Sequence, residues 1–427
     1  MIYLRDPAFR LFPCLLFAGS VKFAAMNQTR HFEIAIVGAG PAGTWFAENM
    51  AKLGKSVAMF DHRAPWEKPC GGGITHKAWE MFPVLRHADL PRNEVLHSMQ
   101  VSPSKRFFVI DQGHPLLMVD RKDLSAFMLD RAVSAGAEHI PVAIKKVRRQ
   151  GATFTLSGAR EQFTADYVVG ADGVQSVVRT AFLGRLPRSQ TLMSLCQFYE
   201  GGPDDPTLIQ VTPFPGYVWG FARNNCLAVG VGSLEHGHKL QPHIDSFIET
   251  YFPGRKPLGT SKGAMLPYMK GLSAYREPRC GEGWALIGDA AGFCDTLTGE
   301  GILYALWSAQ LLADAIGKND SRSYDRTWRK AFGFHLASGA AFAEMLFSRK
   351  NIDRFFTALT VCPSFRSPFL DFIWKQPPYY KLFARFMANM PATWLEYRKF
   401  VSNGAPIPEK ALGPFEYMAD KMNMEVR

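Results

Sequence analysis

The residues in this chain best suited to chemistry are glycines and carboxylates standing where apolar runs stop. Phe32-Glu-Ile-Ala-Ile-Val37 leads directly into Gly38-Ala-Gly40-Pro41-Ala42-Gly43, after which Trp45, Phe46, Asn49, Met50 and Leu53 recur at helical spacing. A strand, a glycine turn and a helix in that order present backbone amides and a helix amino terminus to a pyrophosphate. Gly38 allows the tight turn, Gly40 lets the backbone approach the phosphates, and Gly43 lets helix and strand pack closely. A second apolar run, Ser56-Val-Ala-Met-Phe60, ends at Asp61 and His62, and Asp61 stands 18 residues past Gly43, where a carboxylate can accept from both ribose hydroxyls. The pattern predicts dinucleotide binding but leaves a flavin and a nicotinamide undecided.

Two later segments repeat the arrangement. Asp166-Tyr-Val-Val-Gly-Ala runs into Asp172-Gly173, and Trp284-Ala-Leu-Ile runs into Gly288-Asp289-Ala290-Ala-Gly292, followed by Thr298-Gly299-Glu300-Gly301-Ile302. Each carboxylate either accepts from sugar hydroxyls or serves as a turn or helix cap, since Asp before Gly is common in both. Gly299 and Gly301 would expose backbone amides to a ring or its phosphates. Glu300 reads as a helix-terminus charge rather than an acid catalyst.

The elements that must position these residues give an α/β chain. The order is strand, helix, strand at 32–61, a hairpin-like stretch at 96–119, a helix at about 122–135 opening near Arg121, and a strand-rich middle at about 190–277. A Rossmann-like nucleotide-binding domain would therefore be discontinuous, taking 31–90, 119–185 and 278–318. An inserted antiparallel substrate sheet would take 91–118 and 186–277. Residues 319–427 read as a helical region, helical at 328–347 and then broken into segments at Pro363, Pro368, Pro377-Pro378 and Pro391. Residues 1–30 are an extension, and because Met26 stands just before the first strand, 1–25 read as a misassigned start or a weak membrane-contacting arm.

With 427 residues, 47% hydrophobic and 20% charged, disorder and fibrous repeats are excluded and more than one sub-domain is expected. The net charge of +11 suggests an anionic partner, and residues 318–427 hold 17 basic against 10 acidic side chains among many aromatics. Seven scattered cysteines without a C-x-x-C pair argue against a disulfide framework and zinc, and for a reducing, cytoplasmic setting. The eleven histidines form no metal-binding spacing, so no metal is assigned. No recognition motif supports a nucleic-acid role, and no second G-x-G-x-x-G supports a separate nicotinamide domain.

Together the motifs resemble the FAD-dependent flavoproteins that include para-hydroxybenzoate hydroxylase, and within them the geranylgeranyl reductase family. Lys68-Pro-Cys70-Gly71-Gly72-Gly73 is similar to that family's K-x-C-G-G-G loop, Tyr217-Val-Trp219-Gly-Phe221 to its Y-x-W-x-F motif, and Gly288 through Ile302 to its extended G-D motif. Where the family usually continues with proline after Phe221, Ala222-Arg223 follow, a departure at the substrate contact. The resemblance covers about 31–330.

The resemblance implies a tightly bound FAD, held by the glycine and aspartate residues above with Gly71 to Gly73 and Arg121. It implies NAD(P)H or a ferredoxin-like protein as external electron donor. Its substrate would be a geranylgeranyl or related isoprenoid chain, with an anionic or membrane-held head group. Cys70 would deliver a proton or position substrate, or else fill a gap as a small buried thiol. Tyr217 and Trp219 would wall the isoprenoid channel, or simply share a strand face. The basic, aromatic carboxyl-terminal quarter is placed to meet anionic lipid peripherally. A monooxygenase or halogenase of the same fold, or a lipid-binding flavoprotein without turnover, are the alternatives; no W-x-W-x-I-P motif supports a halogenase, and the C-G-G-G loop argues against a hydroxylase.

Overall fold

The apolar runs that end in glycine and aspartate lie side by side in one sheet. The computed structural model describes residues 29–105, 107–347, 349–375 and 377–403. The reading of residues 1–25 and the position of Cys14 fall outside the described residues. Strand Arg30–Val37 runs parallel to Val57–Phe60 on one side and Gln162–Gly170 on the other, with Ile36 opposite both Met59 and Val169. Glu138–Ile140 and Trp284–Leu286 extend the parallel order outward. Helices cover these strands, so the central ones read as unbroken apolar runs rather than alternations. Helix Pro41–Lys52 packs against helix Ile302–Gly317, and Trp45 Nε1 donates to Gln310 Oε1 at 2.9 Å between them.

The second sheet is ordered Lys262–Pro267, Thr191–Tyr199, Leu227–Ser233, Gly216–Ala222, Leu208–Val211, Arg92–Val101, Phe107–Val119, Gly73–Ile74. All neighbours are antiparallel except Leu208–Val211 beside Arg92–Val101, which corrects the purely antiparallel expectation. These two strands are joined through a long stretch of the other sheet, not by a hairpin, so a parallel crossover is geometrically open to them. The Arg92–Val101 and Phe107–Val119 pair starts four residues earlier than the sequence indicates. Gly73–Ile74 hydrogen-bonds to this sheet's edge, which ties the cysteine-glycine loop to the second sheet.

Adjacent residues of Gly216–Ala222 point to opposite faces. Val218 packs with Phe247 and Tyr251 of helix Gln241–Tyr251, whereas Tyr217 packs with Phe347 and the carboxyl-terminal helices. Those helices are Phe334–Leu346, Arg349–Val361, Pro363–Lys375 and Tyr379–Ser402. The helical pattern expected from 328 is interrupted by a π turn at Arg329–Gly333, where Gly333 lies against the Trp328 ring. Pro368 and Pro391 do not break segments as expected; each stands inside a helix. Each forfeits a backbone hydrogen bond, and packing between the helices, such as the Phe365 and Phe386 rings stacked at 4.4 Å, outweighs that loss.

Candidate functional site

The amino-terminal turn is shaped by backbone contact. Gly38 has φ +101°, and a Cβ there would fall 2.4 Å from the carbonyl oxygen of Ala171. A Cβ on Gly43 would fall 2.0 Å from Gly38 O. Gly40 is different, because its Cβ direction meets no protein atom within 4 Å. Pro41 and Ala42 then open the helix, whose first turn carries no acidic residue. Asp61 Oδ2 accepts from Ala39 N at 3.1 Å and Oδ1 from Arg63 N at 2.9 Å, so the acid braces the turn while keeping lone pairs for further donors. His62, next to it, is exposed.

Asp172 acts partly as the cap that its sequence allowed. Its Oδ2 accepts from Val177 N at 2.7 Å, while Oδ1 is buried without a partner among the described residues. Burial pushes its carboxyl up to about 6 despite hydrogen bonds from Ser176 and Val177. A Cβ on Gly173 would meet nothing within 4 Å. Arg121, at the start of helix Arg121–Ser134, is buried with its Nε also unpartnered among the described residues.

Around Cys70 the three family motifs meet. Lys68 Nζ lies 2.8 Å from Asp289 Oδ2, joining the loop to the G-D motif, and Tyr217 donates to Thr298 O at 2.9 Å, joining the aromatic strand to the same segment. A Cβ on Gly71 would fall 2.4 Å from the Phe221 ring, and one on Gly72, at φ +86°, would fall 2.2 Å from Val119 O. Arg223, where the sequence departs from the family pattern, serves the cysteine-glycine loop. It is buried, with Nε donating to Gly71 O at 3.1 Å and Nη2 to Cys70 O at 2.5 Å, while Nη1 reaches Glu67 at 2.8 Å and Asp120 at 3.0 Å. It clamps the loop against the second sheet, with its guanidinium over the Phe198 ring.

Burial alone would raise the Cys70 thiol, yet Arg121, the Gly72 amide, Lys68 and Arg223 hold it below the ordinary thiol value. Trp219 lies flat over β-strand neighbours because its cross-strand partner is Gly230, where a Cβ would come within 2.2 Å of the indole. Its Nε1 is buried without a partner among the described residues.

Glu300 is not an outward helix-terminus charge. Half-buried, it accepts a hydrogen bond from the Thr75 hydroxyl, and burial pushes its carboxyl up to about 7 although Lys77 pulls the other way. The Gly299 amide is already donated to Asp295 O at 2.9 Å, so what that glycine supplies is its left-handed turn, φ +72°, beneath the Tyr217 hydroxyl. Beyond lies a network around Asp295, a residue the motif reading did not single out. Buried Asp295 takes Tyr379 Oη at 2.9 Å, His335 Nε2 at 3.2 Å and the amides of Leu297 and Thr298. Burial would raise that carboxyl, and these donors instead hold it below its ordinary value. Gly288 N donates to Ser308 Oγ at 2.9 Å, Ala290 is buried, Gly292 is left-handed, and Gly301 precedes Ile302 at the helix start.

The arrangement fits FAD: open space over Gly40 at a helix amino terminus, with Arg121 Nε and Asp172 Oδ1 both lacking a partner among the described residues. Gly38, Gly40, Asp61, Arg121, Asp172 and Asp289 would hold it. Two surface clefts, of about 430 Å³ beside Tyr199 and Gln241 and about 630 Å³ beside Arg86 and Asn224, contain none of these residues.

Comparison with known proteins agrees. Residues 31–197 match the FAD binding domain family. The chain is 28% identical over 367 residues to digeranylgeranylglycerophospholipid reductase 1 of Methanococcoides burtonii, covering 77% of this chain and 87% of that protein. It superposes at TM-score 0.70 and 22% identity on a geranylgeranyl bacteriochlorophyll reductase-like protein from Thermoplasma acidophilum, covering 87% of this chain and 99% of that one. The flavin-dependent brominase Bmp2 shares the fold at TM-score 0.64 and 18% identity, covering 81% and 93%. The chain is thus similar in sequence to the geranylgeranyl reductases, carries a match to the FAD binding domain over residues 31–197, and shares its fold with flavin-dependent proteins.

Proposed function

We propose that this flavoprotein saturates carbon-carbon double bonds of a geranylgeranyl or related isoprenoid chain. The observation that supports this most is the meeting of the Cys70 loop, the Tyr217–Phe221 strand face and the half-buried Glu300 in one place, through the Lys68–Asp289 and Tyr217–Thr298 contacts. FAD bound there, reduced by NAD(P)H or a ferredoxin-like donor, would supply hydride. An isolated trisubstituted alkene accepts hydride poorly, so an acid must give a proton to the neighbouring carbon as water is kept out.

Glu300 is our choice for that acid. Thr75 fixes one of its oxygens, and a carboxyl raised to about 7 still holds a proton near neutrality. Cys70, with its thiol lowered, holds its proton less well and is assigned to positioning the chain. Tyr217 and Trp219 are assigned to the channel wall, with the Tyr217 hydroxyl spent on Thr298.

The test is to reduce the flavin without oxygen, add geranylgeranyl diphosphate or a geranylgeranyl lipid, and follow reoxidation with product mass. Reoxidation with hydrogen pairs added to the chain supports the reading. Reaction only after air is admitted would replace it with a monooxygenase. Glu300 has its own check: because its raised carboxyl loses the proton as pH climbs through about 7, the reoxidation rate should fall over that range. Glu300→Gln should keep FAD, slow the step about a hundredfold and flatten the profile. An unchanged profile would return Glu300 to structure.

A further inference from the structure

Helix Tyr379–Ser402 buries one face, Tyr379, Leu382 and Phe386 packing into the carboxyl-terminal cluster, and leaves a second apolar stripe uncovered. Tyr380, Phe383, Met387, Met390, Trp394 and Tyr397 alternate at spacings of three and four, which places them on one side of the helix. Each is 44–54% exposed, where soluble surfaces scatter large apolar side chains singly. The patch continues onto helix Phe334–Leu346, whose Phe334 ring lies 5.5 Å from Tyr380 and is itself 55% exposed.

The charges beside the stripe have one sign. Lys381, Arg398 and Lys399 are exposed, and Arg398 stacks over Trp394 at 4.7 Å. The helix's one acid, Glu396, turns inward to Ser364, and Arg385 is matched by Asp371. An exposed apolar stripe bordered on one side by cations, Arg398 against it and Lys381 and Lys399 about 100° further round the helix, complements the headgroup region of an anionic bilayer, where aromatics and methionines sink to the acyl boundary and Lys and Arg meet phosphate. No helix among the described residues is long and apolar enough to cross a membrane, so contact here would lie in the surface plane.

We infer that the outward stripe of helix Tyr379–Ser402 docks this protein on an anionic lipid surface. The stripe begins next to the proposed site: Tyr379 and His335, which hold Asp295, are one residue from Tyr380 and Phe334. A chain carried in the bilayer would thus meet the protein beside that network. The inference stands on the helix surface and does not need the reductase reading.

The test is co-sedimentation of the full, FAD-loaded protein with phosphatidylcholine vesicles, with and without phosphatidylglycerol, using neither isoprenoid nor reductant. Binding should require phosphatidylglycerol and weaken with salt. Met387→Asp with Trp394→Asp should lower the partition about tenfold or more while keeping FAD content and melting temperature. Lys381→Glu with Lys399→Glu should remove the phosphatidylglycerol preference. Absence of wild-type sedimentation, or equal sedimentation of the Asp variant, would overturn the inference. So would a wild-type dimer by light scattering that the Asp variant converts to monomer without any vesicle binding, since a second copy would then own the stripe.

Discussion

Two glycine-rich turns, 38–43 and 70–73, look alike in sequence and answer to different neighbours. In the first, Gly38 is required by the backbone of Ala171 beyond the neighbouring strand and Gly43 by the Gly38 carbonyl, and Gly40 looks into space where a phosphate would come. In the second, the space a side chain would need is taken by protein: Phe221 over Gly71, Val119 and Arg223 over Gly72. A glycine motif can therefore mark a ligand or a packing surface, and the side chain that would collide tells which.

That difference can be broken by mutation, and the largest effect should come from the second turn. Arg223→Leu removes the donors to Cys70 O and Gly71 O and strands Glu67 and Asp120, at a cost of about 3 kcal/mol in denaturant unfolding, with or without FAD. If stability were unchanged, the clamp would be incidental. Gly71→Ala should cost about 1–3 kcal/mol in the flavin-free protein from overpacking on Phe221, and Phe221→Leu in the same chain should recover part of it.

Gly40→Ala should behave oppositely. Its added methyl meets no protein atom, so the melting temperature of the flavin-free protein should hold while FAD dissociation rises on the order of tenfold, read by flavin fluorescence. Should Gly40→Ala destabilise the flavin-free protein, the contrast fails. The smallest effect is expected at Cys70→Ser: FAD is retained and substrate-driven reoxidation slows several-fold, since the loop's shape rests on the Cys70 carbonyl rather than on its thiol. An unchanged rate would leave Cys70 as packing.

The dinucleotide fingerprint and its parallel strands were legible in the residues because each requirement is local. Apolar runs, turn glycines and the following acid act within a stretch of about sixty residues, where period and spacing map directly onto geometry. The three motifs around Cys70 were legible as separate pieces. Their meeting was not, because Lys68 reaches Asp289 and Arg223 reaches Glu67 across more than one hundred and fifty residues. Arg223 in particular looked like a departure from a family motif, and only its burial among carbonyls and carboxylates gives it a role.

Glu300 shows the same division. Its type and place after Gly299 follow from sequence, and a charge at a helix start is what local rules assign there. Whether that carboxyl is solvated or raised to about 7 depends on Thr75 and on the walls that exclude water, which distant segments build. The amino-acid order by itself determined the central strands, the glycine turns and the dinucleotide-binding order of elements, since these rest on backbone geometry and periodicity. Tertiary structure alone decided which glycine faces open space, which arginine clamps a loop, which carboxyl is raised and which helix face stays bare, because each depends on what the rest of the chain places beside it.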